Sequence, residues 1–147
     1  MSNYDLFEPY QITPTKITRL AGYGSVNYQV EDLAGQTYLF KHHTDPDSFK
    51  RIEAENKIMA HLSAQLPIEV SSPTNDPLIT YPDSSFSRML CFINGVFLKD
   101  IQATPELSFN FGKVIALSHQ SLNSYRDVEI EAYDHKWNLM NCLDSVE

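Results

Sequence analysis

Cysteine is scarce in this chain: Cys91 and Cys142 are the only two in 147 residues. They lie far apart in sequence and form no CxxC pair, which excludes the disulfide framework of a small secreted domain and fits a reducing, cytoplasmic setting. Basic residues are outnumbered, with 11 Lys and Arg against 19 Asp and Glu and a formal charge of −8. No Lys/Arg cluster is long enough to track a phosphate backbone, so nucleic acid is excluded as a partner. A small anion is still admissible, because it needs local positive charge, backbone N–H groups and a metal rather than a basic surface. Long hydrophobic runs are missing too. The stretch from Met1 to Glu8 lacks the basic and apolar regions of a signal peptide, and nothing later approaches a membrane span. Internal repeats and low-complexity tracts are absent.

What is present is an ordinary apolar complement, 42% hydrophobic and 12% aromatic, enough for one globular core. Thr15 to Leu20 is rich in β-branched residues, and Asn27 to Glu31 alternates Tyr28 and Val30 with polar neighbours, as a half-buried strand does. The turn between them carries Gly22 and Gly24, whose plain reading is hairpin geometry. Asp32 to Gln36 supplies a second turn, and Thr37 to His42 a third strand, which together predict an antiparallel meander.

A helix start is signalled at Asp45 to Ser48: Asp45 can cap, Pro46 suits the first helical position, and Asp47 favours the positive end of the dipole. That helix is expected to run to about Gln65. Proline and polar residues from Pro67 to Pro77 read as a loop, followed by short strands near Leu78–Tyr81 and Ser87–Phe92, which bring the sheet to about five strands. Beyond Asn94 and Gly95, Thr104, Pro105 and Glu106 form a second capped start. Leu107, Phe111, Val114, Ile115 and Leu122 then recur at helical spacing, so a helix over 105–122 with one apolar face is expected. His119, within it, reads as a packing histidine rather than a catalyst.

Lys41 ends the apolar run of the third strand. On a wheel of about 100° per residue, Ile52, Met59, Leu62 and Leu66 of the first helix share one sector, and Glu55 falls among them. A carboxylate on a core-facing stripe costs several kcal/mol, roughly, unless it is paired, so Glu55 calls for a cation, and Lys41 is the natural candidate. The alternative is that both are boundary residues whose stems pack while their heads reach water.

The order of these features is specific: a glycine turn, a strand lysine, a helix glutamate, then a hairpin leading into an extended connection at Cys91 to Gly95. With Leu20 to Tyr28, Tyr38 to Lys41, Glu55 with Ile58, Met59 and Leu62, Arg88 to Gly95, Phe111-Gly112, Leu117 to His119 and Trp137 to Leu139, the chain resembles the N-terminal lobe of the aminoglycoside phosphotransferase and choline kinase superfamily, nearest its hydroxylysine-kinase-like branch. The resemblance spans most of the chain. It implies an α+β, protein-kinase-like N-lobe: a five-stranded antiparallel sheet with one packed helix, a hinge and a following helical segment. Residues 1–93 would form the nucleotide-binding lobe, and 94–147 the hinge exit and the helix over 105–122.

Carried over residue by residue, the resemblance implies that Lys41 holds the α- and β-phosphates of ATP and that Glu55 orients Lys41. Gly22, Gly24, Ser25 and Asn27 would form the loop over the phosphates, although the third glycine of GxGxxG is missing. Cys91 and Ile93 would present a carbonyl and an N–H to the adenine edge. Phosphoryl transfer further needs a carboxylate beside the attacking hydroxyl and ligands for Mg²⁺, which the family keeps in an HxDxxxxN segment and a later acidic motif. The only HxD, His43 to Asp45, lacks the Asn at the required place and lies directly after the Lys41 strand, so Asp45 is read as a helix cap. The expectation is therefore an ATP-binding lobe of a small-molecule kinase acting on an amino-alcohol, amino-sugar or hydroxylated amino acid, with no catalytic residue or metal ligand of its own and incomplete as a chain. The alternative is a non-catalytic kinase-like scaffold. Helix 105–122 would pack against the missing lobe or drive self-association.

Overall fold

Asp32 shows how local chemistry sets the sheet. Its Oδ1 accepts from the backbone N–H groups of Ala34 at 2.9 Å and Gln36 at 2.8 Å, and Gly35 takes φ +76°, a left-handed conformation that favours glycine. This turn joins two of five antiparallel strands in a computed structural model that describes residues 6–74 and 78–133. Trp137 to Leu139 and Cys142 lie outside the described residues.

The strands are β1 (Pro14–Leu20), β2 (Val26–Asp32), β3 (Thr37–His43), β4 (Ile79–Thr80) and β5 (Phe86–Cys91). They lie in the order β1-β2-β3-β5-β4. The expected meander thus forms, and β5 is inserted against β3, with β4 at the edge. Helix α1 (Phe49–Gln65) follows β3 after a 3-10 turn over Pro46–Ser48. Asp45 Oδ1 accepts from the Asp47 N–H at 3.1 Å, which is the capping role expected of it. Helix α2 (Pro105–Leu122) starts where Thr104 Oγ1 accepts from the Leu107 N–H at 3.1 Å, and a short α3 (Val128–Glu131) follows. The sequence reading did not anticipate α3, although Asp127 caps it through the Glu129 N–H at 3.0 Å.

The two faces of the sheet are covered by different parts of the chain. On one, Val30, Phe40 and Met89 are buried with Phe7 and Tyr10 of the N-terminal segment. The Phe7 and Phe40 rings meet edge-on at 4.8 Å and those of Tyr10 and Phe40 at 5.9 Å. Each such buried ring contributes about 1.5–3 kcal/mol. A hydroxyl chain pins the same segment, with Tyr10 and Tyr81 each 2.8 Å from Ser87 Oγ and Tyr81 donating to the Leu6 carbonyl at 3.2 Å. The other face receives α1, which buries Ile52 and Ala54. Because β5 lies between β3 and β4 and is covered on both sides, Phe86 through Leu90 are all buried, Arg88 included.

Helix α2 meets α1 near its C-terminal end, where His61 Nε2 lies 3.0 Å from the Ser121 carbonyl. Val114 and Leu117 are half-buried, whereas Phe109 is 72% and Phe111 52% exposed. Among the described residues no helix is long and apolar enough to cross a membrane.

Candidate functional site

Strand register places three polar side chains in one row on the face toward α1. Asn27 of β2 is paired with Lys41 of β3, and Lys41 with Arg88 of β5. Directly opposed residues share a face, so two cations stand side by side there, an arrangement that is unfavourable unless a carboxylate joins them. Glu55, on the overlying α1, supplies it.

The carboxylate does not pair where the sequence reading put it. Glu55 Oε2 lies 3.0 Å from Arg88 Nη2, and Arg51, one turn earlier on α1, holds Oε1. Arg88 Nη1 also donates to Asn56 Oδ1 at 2.8 Å. The Lys41 ammonium has no hydrogen bond or ion pair among the described residues; its attraction to Glu55 acts over a longer distance. The physical reason is geometric: the guanidinium of Arg88 spreads its donors over two adjacent helix residues, whereas Lys carries a single compact charge. Sequence reasoning missed Arg88. The signal was an arginine at an alternate position among Phe86, Leu90 and other apolar residues, which calls for a buried anion just as Glu55 calls for a cation.

Burial pulls the half-buried Lys41 ammonium below its ordinary pKa, Arg88 adds to that, and Glu55 opposes it. Arg88 is lowered in the same way by burial and supported by Glu55. His43, also on this face, is only 4% exposed and stacks on Phe86 with ring centroids 4.8 Å apart. Desolvation, then the charges of Arg88, Lys41, Arg51 and His42, drive its pKa from 6.5 to about 4, so it is neutral at physiological pH. Its Nε2 and the Arg88 Nε are both buried without a hydrogen-bond partner among the described residues.

At one end of the row stands the glycine turn. The Asn27 side chain folds back over it, accepting from Ser25 Oγ at 2.8 Å and donating to the Ala21 carbonyl at 3.4 Å. A β-carbon on Gly22 would sit 1.9 Å from Asn27 Nδ2, so this glycine is required by close approach, not by an unusual φ. Gly24 has φ +69° and open space around it. At the other end, β5 runs out at Cys91, three residues beyond Arg88, or about 10 Å along the strand. The Cys91 N–H donates to the Ser72 carbonyl at 2.9 Å, and its carbonyl accepts from Ser71 Oγ at 2.7 Å, keeping a second lone pair. Ile93, 39% exposed, has no backbone hydrogen bond among the described residues. The structure thus gathers Gly22, Ser25, Asn27 and Lys41 at one place, with Glu55 held beside Arg88 and Cys91 and Ile93 at the strand exit. Among the described residues no three His, Cys, Asp or Glu cluster as a metal site.

A five-stranded antiparallel sheet with a helix on one face, tied to β5 through Arg88, matches a kinase-like N-lobe, and the chain has the fold of the N-terminal lobe seen in aminoglycoside phosphotransferases. Among solved structures it is similar to amicoumacin kinase hAmiN in complex with AMP-PNP, Ca²⁺ and Ami, with TM-score 0.73 and 20% identity over 93% of this chain and 45% of that one. It is also similar to the aminoglycoside phosphotransferase APH(4)-Ia, with TM-score 0.56 and 19% identity over 83% of this chain and 38% of that one. A thermostable mutant of that enzyme in a ternary complex with ADP and hygromycin B gives TM-score 0.56 and 19% identity over 86% of this chain and 40% of that one. The chain spans less than half the length of these structures, and at such identities the likeness is one of fold. No protein-family model matches the sequence, and no curated protein matches it.

Proposed function

We propose that this chain is the ATP-binding lobe of a small-molecule kinase, with Lys41 as the phosphate anchor. The observation that carries the reading is a half-buried ammonium without a partner among the described residues, set between a glycine turn and a strand exit with an uncommitted N–H. An unpaired, partly desolvated cation is costly, and an incoming phosphate oxygen relieves that cost. Gly24, in open space, leaves room for phosphate oxygens above the turn, and backbone N–H groups there can receive them. The second lone pair of the Cys91 carbonyl and the Ile93 N–H suit the donor and acceptor of an adenine edge. Two solved structures of similar fold hold AMP-PNP or ADP, which supports a nucleotide as ligand.

In this reading residues 1–93 form the nucleotide-binding lobe, and 94–147 lead to a further lobe carrying the catalytic carboxylate, the acceptor site and the ligands for Mg²⁺. The acceptor would be an amino-alcohol, amino-sugar or hydroxylated amino acid. The exposed Phe109 and Phe111 of α2 support a covering lobe there, with a second copy of this chain as the competing occupant. A cytoplasmic setting goes with ATP as substrate and with Cys91 as an exposed free thiol. A second reading, a non-catalytic kinase-like scaffold, is favoured by one observation: Glu55 is paired with Arg88 rather than Lys41.

Calorimetric titration of Mg-ATP into the chain and into Lys41→Ala separates the two. The kinase-lobe reading expects binding that the substitution weakens at least tenfold, about 1.4 kcal/mol. Equal affinity in both proteins would remove Lys41 from the site, and no binding to either would favour the scaffold.

A further inference from the structure

The turn between β1 and β2 holds four consecutive amides in reserve. The N–H groups of Gly22, Tyr23, Gly24 and Ser25 make no hydrogen bond among the described residues. Gly24, at φ +69°, adds the left-handed step that turns successive N–H groups toward one side. Such a run can receive the oxygens of an anion, but only while it keeps its shape. Glycine loses more conformational freedom on ordering than any other residue, so two of them in one turn make that shape costly to hold.

The side chain of Asn27 holds it. Oδ1 accepts from the Ser25 hydroxyl at 2.8 Å, and Nδ2 faces the Ala21 carbonyl at 3.4 Å. Ala21 immediately precedes the four amides and Ser25 is the last of them, so one side chain, 7% exposed, bridges both ends of the run. The Ala21 carbonyl can only accept, which fixes the end of the amide that faces it and leaves Oδ1 for Ser25. Gly22 lies against the same amide, because a β-carbon there would meet Nδ2 at 1.9 Å. Asn27 is also paired in register with Lys41, which ties the turn to the strand carrying the ammonium.

The bridge has a consequence for Ser25. A hydroxyl has one proton, and the bond to Asn27 uses it. Ser25 Oγ can then accept but not donate, and a phosphate oxygen, itself an acceptor, gains nothing from it.

We propose that Asn27 is a positioning residue: by bridging Ala21 and Ser25 it holds the four amides of the glycine turn open for phosphate oxygens, with the Ser25 hydroxyl a part of the bridge and not a phosphate donor. This rests on the reading of the turn and Lys41 as one phosphate site. It makes recognition by the turn a matter of backbone N–H groups alone.

The test uses the full chain with Ser25→Ala, Asn27→Ala and the double variant. Amide relaxation order parameters of Gly22 to Ser25 are measured by NMR without nucleotide, with Ala34 to Gln36 of the next turn as control, and Mg-ATP affinity is measured by calorimetry. Each single variant is expected to lower the order parameters of the glycine turn, leave those of the control turn unchanged, and weaken Mg-ATP by roughly fivefold to tenfold. The double variant is expected to bind no more weakly than Asn27→Ala, because the two side chains act as one unit. If Ser25 donates directly to phosphate, Ser25→Ala leaves the free turn as ordered as before and its loss of affinity adds to that of Asn27→Ala. Either result overturns the proposal, as does equal loosening of both turns, which would make Asn27 a general stability residue. If Asn27→Ala does not fold, Ser25→Ala, at a half-buried position in the turn, decides the matter through its order parameters. If Lys41→Ala binds Mg-ATP as tightly as the parent chain, the phosphate-anchor reading fails instead, and the order parameters still decide whether Asn27 holds the turn.

Discussion

His43 makes the stability of this domain depend on pH in a way the structure allows to be worked out. Its ring is stacked on Phe86, its Nε2 has no hydrogen-bond partner among the described residues, and three cations face it. As pH falls through about 6.5, the ordinary histidine value, the unfolded chain takes up a proton at this position. The folded chain does not until about pH 4. Stability is therefore whole above that window and is lost as pH falls across it. The full difference amounts to about 3 kcal/mol, of which about 2 kcal/mol is gone near pH 5. The assay is urea unfolding at pH 7.5 and near pH 5 for the parent chain and His43→Phe, whose ring keeps the stacking and forfeits no Nε2 hydrogen bond. Carboxylates titrate in both proteins, so the difference between them isolates His43. The parent should lose about 2 kcal/mol more than the variant on acidification. Equal losses would refute the claim that His43 is buried and neutral beside Lys41 and Arg88.

Two further outcomes follow from the geometry. Gly22→Ala places a β-carbon 1.9 Å from Asn27 Nδ2. It should displace that side chain, cost about 1–3 kcal/mol in thermal or urea unfolding, and weaken Mg-ATP binding, whereas Gly95→Ala, with nothing nearby, should do neither. Phe40→Ala opens a cavity among Phe7, Tyr10 and Tyr28 and should cost about 3–5 kcal/mol, measured as a lower urea midpoint.

Much of the fold was legible because its signals are local. The strand alternation, the Asp32 turn, the caps at Asp45 and Thr104 and the helical spacing over 105–122 each depend on residues a few positions apart. The cover of the sheet by Phe7 and Tyr10 was not, because two aromatics in a short, irregular segment carry no periodicity. The candidate site was legible in part for a related reason. Glu55 on the apolar stripe of α1 correctly demanded a cation, but the choice between Lys41 and Arg88 depended on strand order. Arg88 lies 33 residues from Glu55 in sequence. It reaches Glu55 only because β5 pairs with β3, a long-range fact that hydrophobic pattern does not encode. His43 likewise gave no sign of its neutral state, which arises from burial first and then from cations contributed by β3, β5 and α1 together.

If the proposed function holds, the glycine turn, Lys41 and the strand exit are parts of one nucleotide site. Amide chemical-shift mapping of the isotopically labelled chain with Mg-ATP tests it directly. Shifts are expected to concentrate at Gly22 to Asn27, at Lys41 and at Cys91 to Ile93, saturating with one affinity and diminished together by Lys41→Ala. Shifts confined to α2 and α3, or none at ATP concentrations up to several millimolar, would contradict it.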